Sequence, residues 1–131
     1  MQSYVDMNAP YTALVIIGGG PAGLSAAVAA YDAGVRDMVI LERDLHAGGI
    51  LRQCIHNGFG LHRFGEELTG PEYANRYHEM ALERGISIKT GATVLDLTPS
   101  EEPSKEEGIA AYVVLHISCP PFHRPPWYDP Y

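Results

Sequence analysis

The chain has 131 residues, a formal net charge of −7 and a hydrophobic fraction of 46%, enough for one globular domain with its own core. The acidic balance argues against nucleic acid or an anionic membrane surface as the main partner. No run is long enough to span a bilayer, and the opening MQSYVDMNAPYT lacks a basic segment followed by an apolar one, so a cytoplasmic location is expected.

Residues 1–12 read as an N-terminal extension. Residues 13–17, ALVII, are apolar throughout and end on glycine, which predicts a buried parallel strand. Pro21 suits the first turn of a helix, where its missing N–H costs nothing. That helix carries Leu24, Ala27, Val28 and Tyr31 on one stripe and stops at Gly34. MVILE, residues 38–42, is the next strand, completing a βαβ unit. A glycine-rich stretch follows, with a short helical turn expected over 63–68. Thr69 and Glu72 have capping-box spacing for a helix from Pro71, closed by Gly85, with Tyr73, Tyr77, Met80, Ala81 and Arg84 on one face. ISIKT, 86–90, predicts a third parallel strand and TVLDL, 93–97, a fourth strand after the Gly91 turn. Residues 99–131 form a charged loop, a candidate strand in IAAYVVLHIS and a proline-rich tail expected to be extended or disordered.

Gly18, Gly20 and Gly23 give G-x-G-x-x-G, with Pro21 and Ala22 between the last two. The pattern gains its force from a strand before it, a helix after it and an acid closing the next strand. Gly18 allows the tight turn, Gly20 lets a pyrophosphate approach the backbone, and Gly23 lets the helix lie close to the strand. Free N–H groups at the helix start then face the phosphates, so an acidic chain needs no lysine there. Glu42, at the end of the second strand, is placed to accept hydrogen bonds from ribose hydroxyls and would repel a 2′-phosphate, which disfavours NADP. An ordinary glycine turn with a solvated acid is the plain alternative. The loop alone leaves FAD and NAD open.

The stretches VIIGGGPAGLSAA, VILERDLHAGGILRQCIHNGFGLHRFGEELTGPEYA and, more loosely, GISIKTGATVLDL resemble the pyridine nucleotide-disulfide oxidoreductase superfamily of FAD-dependent enzymes. The nearest branch holds the hydrogen cyanide synthase and opine oxidase flavoprotein subunits and proteins associated with anaerobic glycerol-3-phosphate dehydrogenase. The resemblance covers residues 13–98 and implies a partial FAD-binding domain there. It implies an α/β, Rossmann-like FAD/NAD(P)-binding fold, incomplete, with a parallel three-stranded core and an extra strand or hairpin. It also implies FAD at Gly18, Gly20, Pro21, Ala22, Gly23 and Glu42, with Arg43 and Gly49 along the adenosine-to-pyrophosphate path. Val94 would meet the adenine through its backbone, and the IHNGFG loop would lie toward the flavin. In the full-length family, NAD(P)H or an organic substrate exchanges a hydride with the flavin.

Cys54 is the one candidate for a catalytic residue, as a lone thiol near the flavin. A thiol–disulfide relay needs a resolving partner, and Cys119 in the proline tail is a poor one; a small packed loop residue is the other reading. His56 and His62 lack the carboxylate or cysteine set of a metal site, and no metal is expected. PPWY, 125–128, matches the P-P-x-Y pattern bound by WW domains, or arises by chance in a proline-rich segment. The returning strand, the Gly-Asp segment and the second G-x-G-x-x-G domain of a complete family member are not found after residue 98. The expectation is therefore a truncated flavin-dependent oxidoreductase, weakly active or inactive alone. The alternatives are a non-catalytic dinucleotide-binding subunit that completes its fold on a partner chain or a second copy, and an NAD-binding reductase fragment. The first strand would be an apolar edge unless 109–118 covers it, another chain does, or the rest of the protein does.

Overall fold

The computed structural model describes residues 12–99 and 113–118. In chain order the elements are β1 (Leu14–Ile17), α1 (Pro21–Asp32), β2 (Met38–Leu41), a 3-10 turn (Gly49–Gln53), β3 (Asn57–Phe59), α2 (Leu61–Phe64), β4 (Leu68–Thr69), α3 (Gly70–Glu83), β5 (Ser87–Lys89), β6 (Thr93–Pro99) and β7 (Val113–Ser118). β1, β2 and β5 form a parallel sheet in the order β1-β2-β5, with Leu14 opposite Met38 and Val39 opposite Ser87. This is the α/β, Rossmann-like architecture that the βαβ pattern implies.

Helix boundaries follow local chemistry. α1 begins on Pro21 and ends where Gly34 takes φ +110, with the Gly34 and Val35 amides donating to the Tyr31 and Ala30 carbonyls. That left-handed turn closes the orphan carbonyls of the last turn. α3 carries the full capping box: the Thr69 hydroxyl accepts from the Glu72 amide, and the Glu72 carboxylate accepts from the Thr69 amide at 2.7 Å. Gly85, at φ +68, ends it, and the Ile86 amide turns back to the Ala81 carbonyl.

Leu24, Ala27 and Val28 of α1 meet Tyr77 and Ala81 of α3 over Met38, Ile40 and Ile86, forming the core. At its margin Arg84 donates to both oxygens of Asp32 at 2.8 and 3.1 Å, tying the ends of the two helices together. Tyr73 and Tyr77 join Phe64 in a ring cluster with centroids 5.3 to 5.6 Å apart. These tyrosines are packing residues, as helix spacing predicts.

Three expectations change. β1 is only half-buried and Ile17 is 53% exposed, because among the described residues no strand pairs on its outer side. Bonds from Leu14 N to Asp37 O and from Gly18 N to Leu41 O fix the ladder phase. In a parallel ladder, Val15 and Ile17 then turn their N–H and C=O groups toward the open edge. Nor does β7 cover that edge: it pairs antiparallel with β6, Val94 opposite Ile117, as the extra hairpin. The turn expected over 63–68 is displaced to α2, which is bracketed by Gly60 and Gly65 at φ +88 and +71, and Leu68 instead pairs with Phe59. The PPWY motif, Cys119 and the N-terminal extension to residue 11 lie outside the described residues.

Candidate functional site

The site is built at the C-terminal ends of β1 and β2, where a doubly wound sheet opens its crevice. Gly18 turns out of β1 with φ +99, a value that favours glycine. Gly20 caps α1 in extended conformation, and a Cβ placed on it would meet nothing within 4 Å. A Cβ on Gly23 would fall 1.9 Å from the Gly18 carbonyl oxygen and 3.3 Å from the Ile16 side chain. The two glycines thus serve different ends. Gly23 is bare so that the helix can rest on the strand; Gly20 is bare toward open space. The Ala22 and Gly23 amides lie in the first turn of α1, where helix geometry leaves N–H groups without an internal acceptor. An anion set against Gly20 meets those amides and the positive end of the helix.

Glu42 is buried, at 6% exposure, and does more than close a strand. Its Oε2 accepts the Gly19 amide at 2.7 Å and its Oε1 accepts the Asp44 amide at 2.9 Å. One carboxylate therefore pins both the glycine loop and the turn that leaves β2. A carboxylate has roughly four acceptor positions, so hydroxyl donors can still be received after two amides are bound. The brace on Gly19 escaped the sequence reading, which looked at Glu42 only as an acceptor for a sugar. The spacing of 23 residues gives no local signal, and the contact exists only once β1 and β2 are paired.

The segment after Glu42 folds back onto the glycine loop. The Gly48 amide donates to the Gly19 carbonyl at 2.7 Å, and a Cβ on Gly49, at φ +56, would lie 3.2 Å from the Gly20 Cα. The 3-10 turn starts at Gly49 and so faces the start of α1. β6 enters from the other side: Gly91 and Ala92 donate to the Asp44 and Glu42 carbonyls at 3.0 Å each. Val94, half-buried, follows two residues later. The structure thus gathers Gly18, Gly20, Pro21, Ala22, Gly23, Glu42 and Gly49 around the start of α1, with β6 beginning just after the bonds to Asp44 and Glu42. Arg43 lies beside it with an exposed side chain, 3.9 Å from Asp44.

Cys54 stands apart from these contacts. Its Sγ points to the Ile50 carbonyl at 3.4 Å, and its own carbonyl accepts the Gly70 amide at 2.8 Å. A Cβ on Gly70 would lie 2.2 Å from the Leu51 oxygen and 2.6 Å from the Cys54 oxygen, so the 3-10 turn and the start of α3 are in backbone contact there. His56 lies against Phe59 with ring centroids 5.2 Å apart, within the IHNGFG loop. Among the described residues no group of three or more His, Cys, Asp or Glu side chains is placed to hold a metal ion. No helix among them is long and apolar enough to cross a membrane.

Residues 13–61 match the family model for an FAD binding domain. The chain is 39% identical over 83 residues to a thioredoxin reductase of Ureaplasma parvum, covering 63% of this chain and 25% of that protein. Over the matched segment the chain is similar to FAD-dependent oxidoreductases. FAD is the cofactor of its matched domain. Among solved structures, Thermovibrio ammonificans THI4 superposes with a TM-score of 0.62 at 24% identity, over 82% of this chain and 48% of that one. Lactococcus lactis thioredoxin reductase superposes with a TM-score of 0.58 at 21% identity, over 82% and 33%. The atypical thioredoxin reductase TRi of Desulfovibrio vulgaris Hildenborough gives 0.56 at 29% identity, over 71% and 29%. This FAD-binding chain spans about a quarter of the curated relative and less than half of these structures.

The residues fit the cofactor. The crevice offers a bare glycine where a diphosphate would approach, helix-start amides directed at it, and a carboxylate with acceptor capacity one strand away.

Proposed function

We propose that this chain supplies the FAD-binding part of a flavin-dependent oxidoreductase of the pyridine nucleotide type, with residues 13–98 as the FAD-binding domain and 99–131 as an appended segment. The observation that carries this reading is the contrast between Gly20, open where a Cβ would point, and Gly23, closed against Gly18. Gly18, Gly20, Pro21, Ala22, Gly23 and Gly49 would surround the diphosphate, Glu42 would receive the adenosine ribose, Arg43 would flank it, and the Val94 backbone would meet the adenine. Bound flavin supplies two-electron hydride chemistry at its N5 atom. The chain's own residues bind it, orient it and shape its surroundings. NAD(P)H is the proposed donor to the whole flavoprotein, with turnover by this chain alone weak or absent. The hydrogen cyanide synthase and opine oxidase branch is the proposed relationship, and Cys54 is given no catalytic part in it.

The test is the visible spectrum of the purified chain together with heat protection by FAD, NAD and NADP. A flavin band with selective protection by FAD supports the reading. Protection by NAD without a flavin band would reassign the crevice to an NAD-binding reductase. Rapid NADH oxidation by the isolated 131-residue chain would refute the requirement for a second redox unit.

A second reading rests on the open edge of β1, where Val15 and Ile17 present backbone groups and Ile17 is half-exposed. A non-catalytic subunit would complete its sheet there on a partner chain or a second copy. Size-exclusion chromatography of the chain, with and without FAD, separates this from a monomeric domain.

A further inference from the structure

We propose that the open groove between the loop of residues 43–48 and α3 binds a small organic anion, at a site separate from the dinucleotide crevice. The groove has a volume of about 440 Å³, within the range of roughly 300–1,000 Å³ usual for small-molecule sites. Arg52, His46 and His78 contribute its N–H donors, and Leu45, Pro71 and Ala74 its apolar surface. Among the described residues no carboxylate lines it, in a chain with 16 acidic residues against 9 lysines and arginines. Glu79 lies behind its wall, accepting from the lining residue Asn75 at 3.0 Å.

Arg52 is what makes the groove a site. Among the described residues Arg43, Arg76 and Arg84 pair with acids, while Arg36 and Arg63 donate to Tyr31 O and Tyr77 Oη. Arg52 has no such partner among the described residues. Its stem is nevertheless held. A Cβ on Gly48, which sits at φ +123, would fall 2.9 Å from the Arg52 Cγ and 3.2 Å from the Ala74 Cβ. The missing side chain of Gly48 is thus the space that the arginine stem occupies, and the guanidinium is left unpaired at the groove. A planar guanidinium without an acid partner, in a groove also lined by two imidazoles and an apolar surface, matches a phosphate or carboxylate carried on an apolar body.

The groove shares a wall with the crevice without opening into the same pair of glycines. Ala47 lines the groove, and its Cβ also lies 3.2 Å from where a Gly19 Cβ would stand. An anion in the groove is therefore distinct from a diphosphate at Gly20.

The test is calorimetric titration at low ionic strength with phenyl phosphate, benzoate and, as the neutral control, phenol, on the chain with and without FAD. Binding of either anion well above phenol supports the site, and the tighter of the two identifies the head group. Arg52→Gln weakens that binding by at least about tenfold, with Arg52→Lys intermediate and FAD affinity and melting temperature unchanged. Equal affinity in Arg52→Gln, anions no tighter than phenol, or displacement of the probe by FAD would overturn the proposal. Because the titration is also run without FAD, its outcome is independent of whether the crevice binds that cofactor.

Discussion

The Glu42 carboxylate accepts the Gly19 amide at 2.7 Å, joining the end of one strand to the turn that leaves its neighbour. This bond sets the shape of the glycine loop before any ligand arrives. A hydrogen bond to a charged group contributes about 1.5–3 kcal/mol net, and more is lost when a buried donor is left unsatisfied. Glu42→Ala removes the acceptors of both Gly19 and Asp44. It should destabilise the chain by about 2–3 kcal/mol and weaken FAD by at least about tenfold. Glu42→Gln keeps an amide oxygen for one of these donors but loses the charge. It should fall between wild type and Glu42→Ala in stability while losing most of the FAD affinity. Urea titration and fluorimetric FAD titration read the two effects separately.

Gly20 and Gly23 separate binding from folding. A side chain at Gly20 enters open space, so Gly20→Val should cost no more than about 1 kcal/mol, the loss of a favourable helix N-cap, and remove FAD binding. A side chain at Gly23 would meet a backbone carbonyl at 1.9 Å, and neither partner is a flexible tip. Gly23→Ala should cost about 1–3 kcal/mol before any cofactor is added. If Gly20→Val lowers the melting temperature as far as Gly23→Ala does, the distinction between the two glycines fails.

Elements whose cause is local were legible in the sequence. The turn residues around α1, the capping box of α3 and the glycine–acid spacing of the crevice each state their chemistry within a few positions. What was not legible depends on pairing at a distance. β7 could have gone beside β1 or beside β6, because two apolar strands carry no label for their neighbour; register arises from the hairpin as a whole. β3, spelling Asn57, Gly58 and Phe59, has no alternation and is a strand only because Leu68 and Thr69 lie opposite. The inward turn of Glu42 belongs to the same class. α2 was misplaced although Gly60 and Gly65 bracket it, and those glycines were the available signal.

Cys54 is a packed residue of the turn before β3. Its thiol is aimed at the Ile50 carbonyl, and its backbone is pressed against Gly70. Cys54→Ala should leave FAD affinity within about twofold of wild type. Gly70→Ala should be the damaging change, at about 1–3 kcal/mol, because its Cβ meets two carbonyls. Heat denaturation of the two variants decides this. A larger effect from Cys54→Ala, or a lost flavin spectrum, would return the thiol to the site.

The capping box of α3 makes stability depend on acid. The Thr69 amide, and then its hydroxyl, hold the Glu72 carboxyl below its ordinary value of 4.5. A carboxyl with a depressed folded value contributes stability that is complete above its unfolded value and disappears as pH falls through the folded one. Comparing wild type with Glu72→Ala, the stability difference should be constant at neutral pH, begin to shrink near pH 4.5 and vanish below the folded value. Thr69→Ala removes the hydroxyl that accepts the Glu72 amide and should cost about 1 kcal/mol at neutral pH. It should also bring the Glu72 carboxyl back toward its ordinary value, which a carbon-detected titration of that side chain reads directly. A Glu72 titration unchanged in Thr69→Ala would leave the backbone amide of residue 69 as the whole cause of the shift.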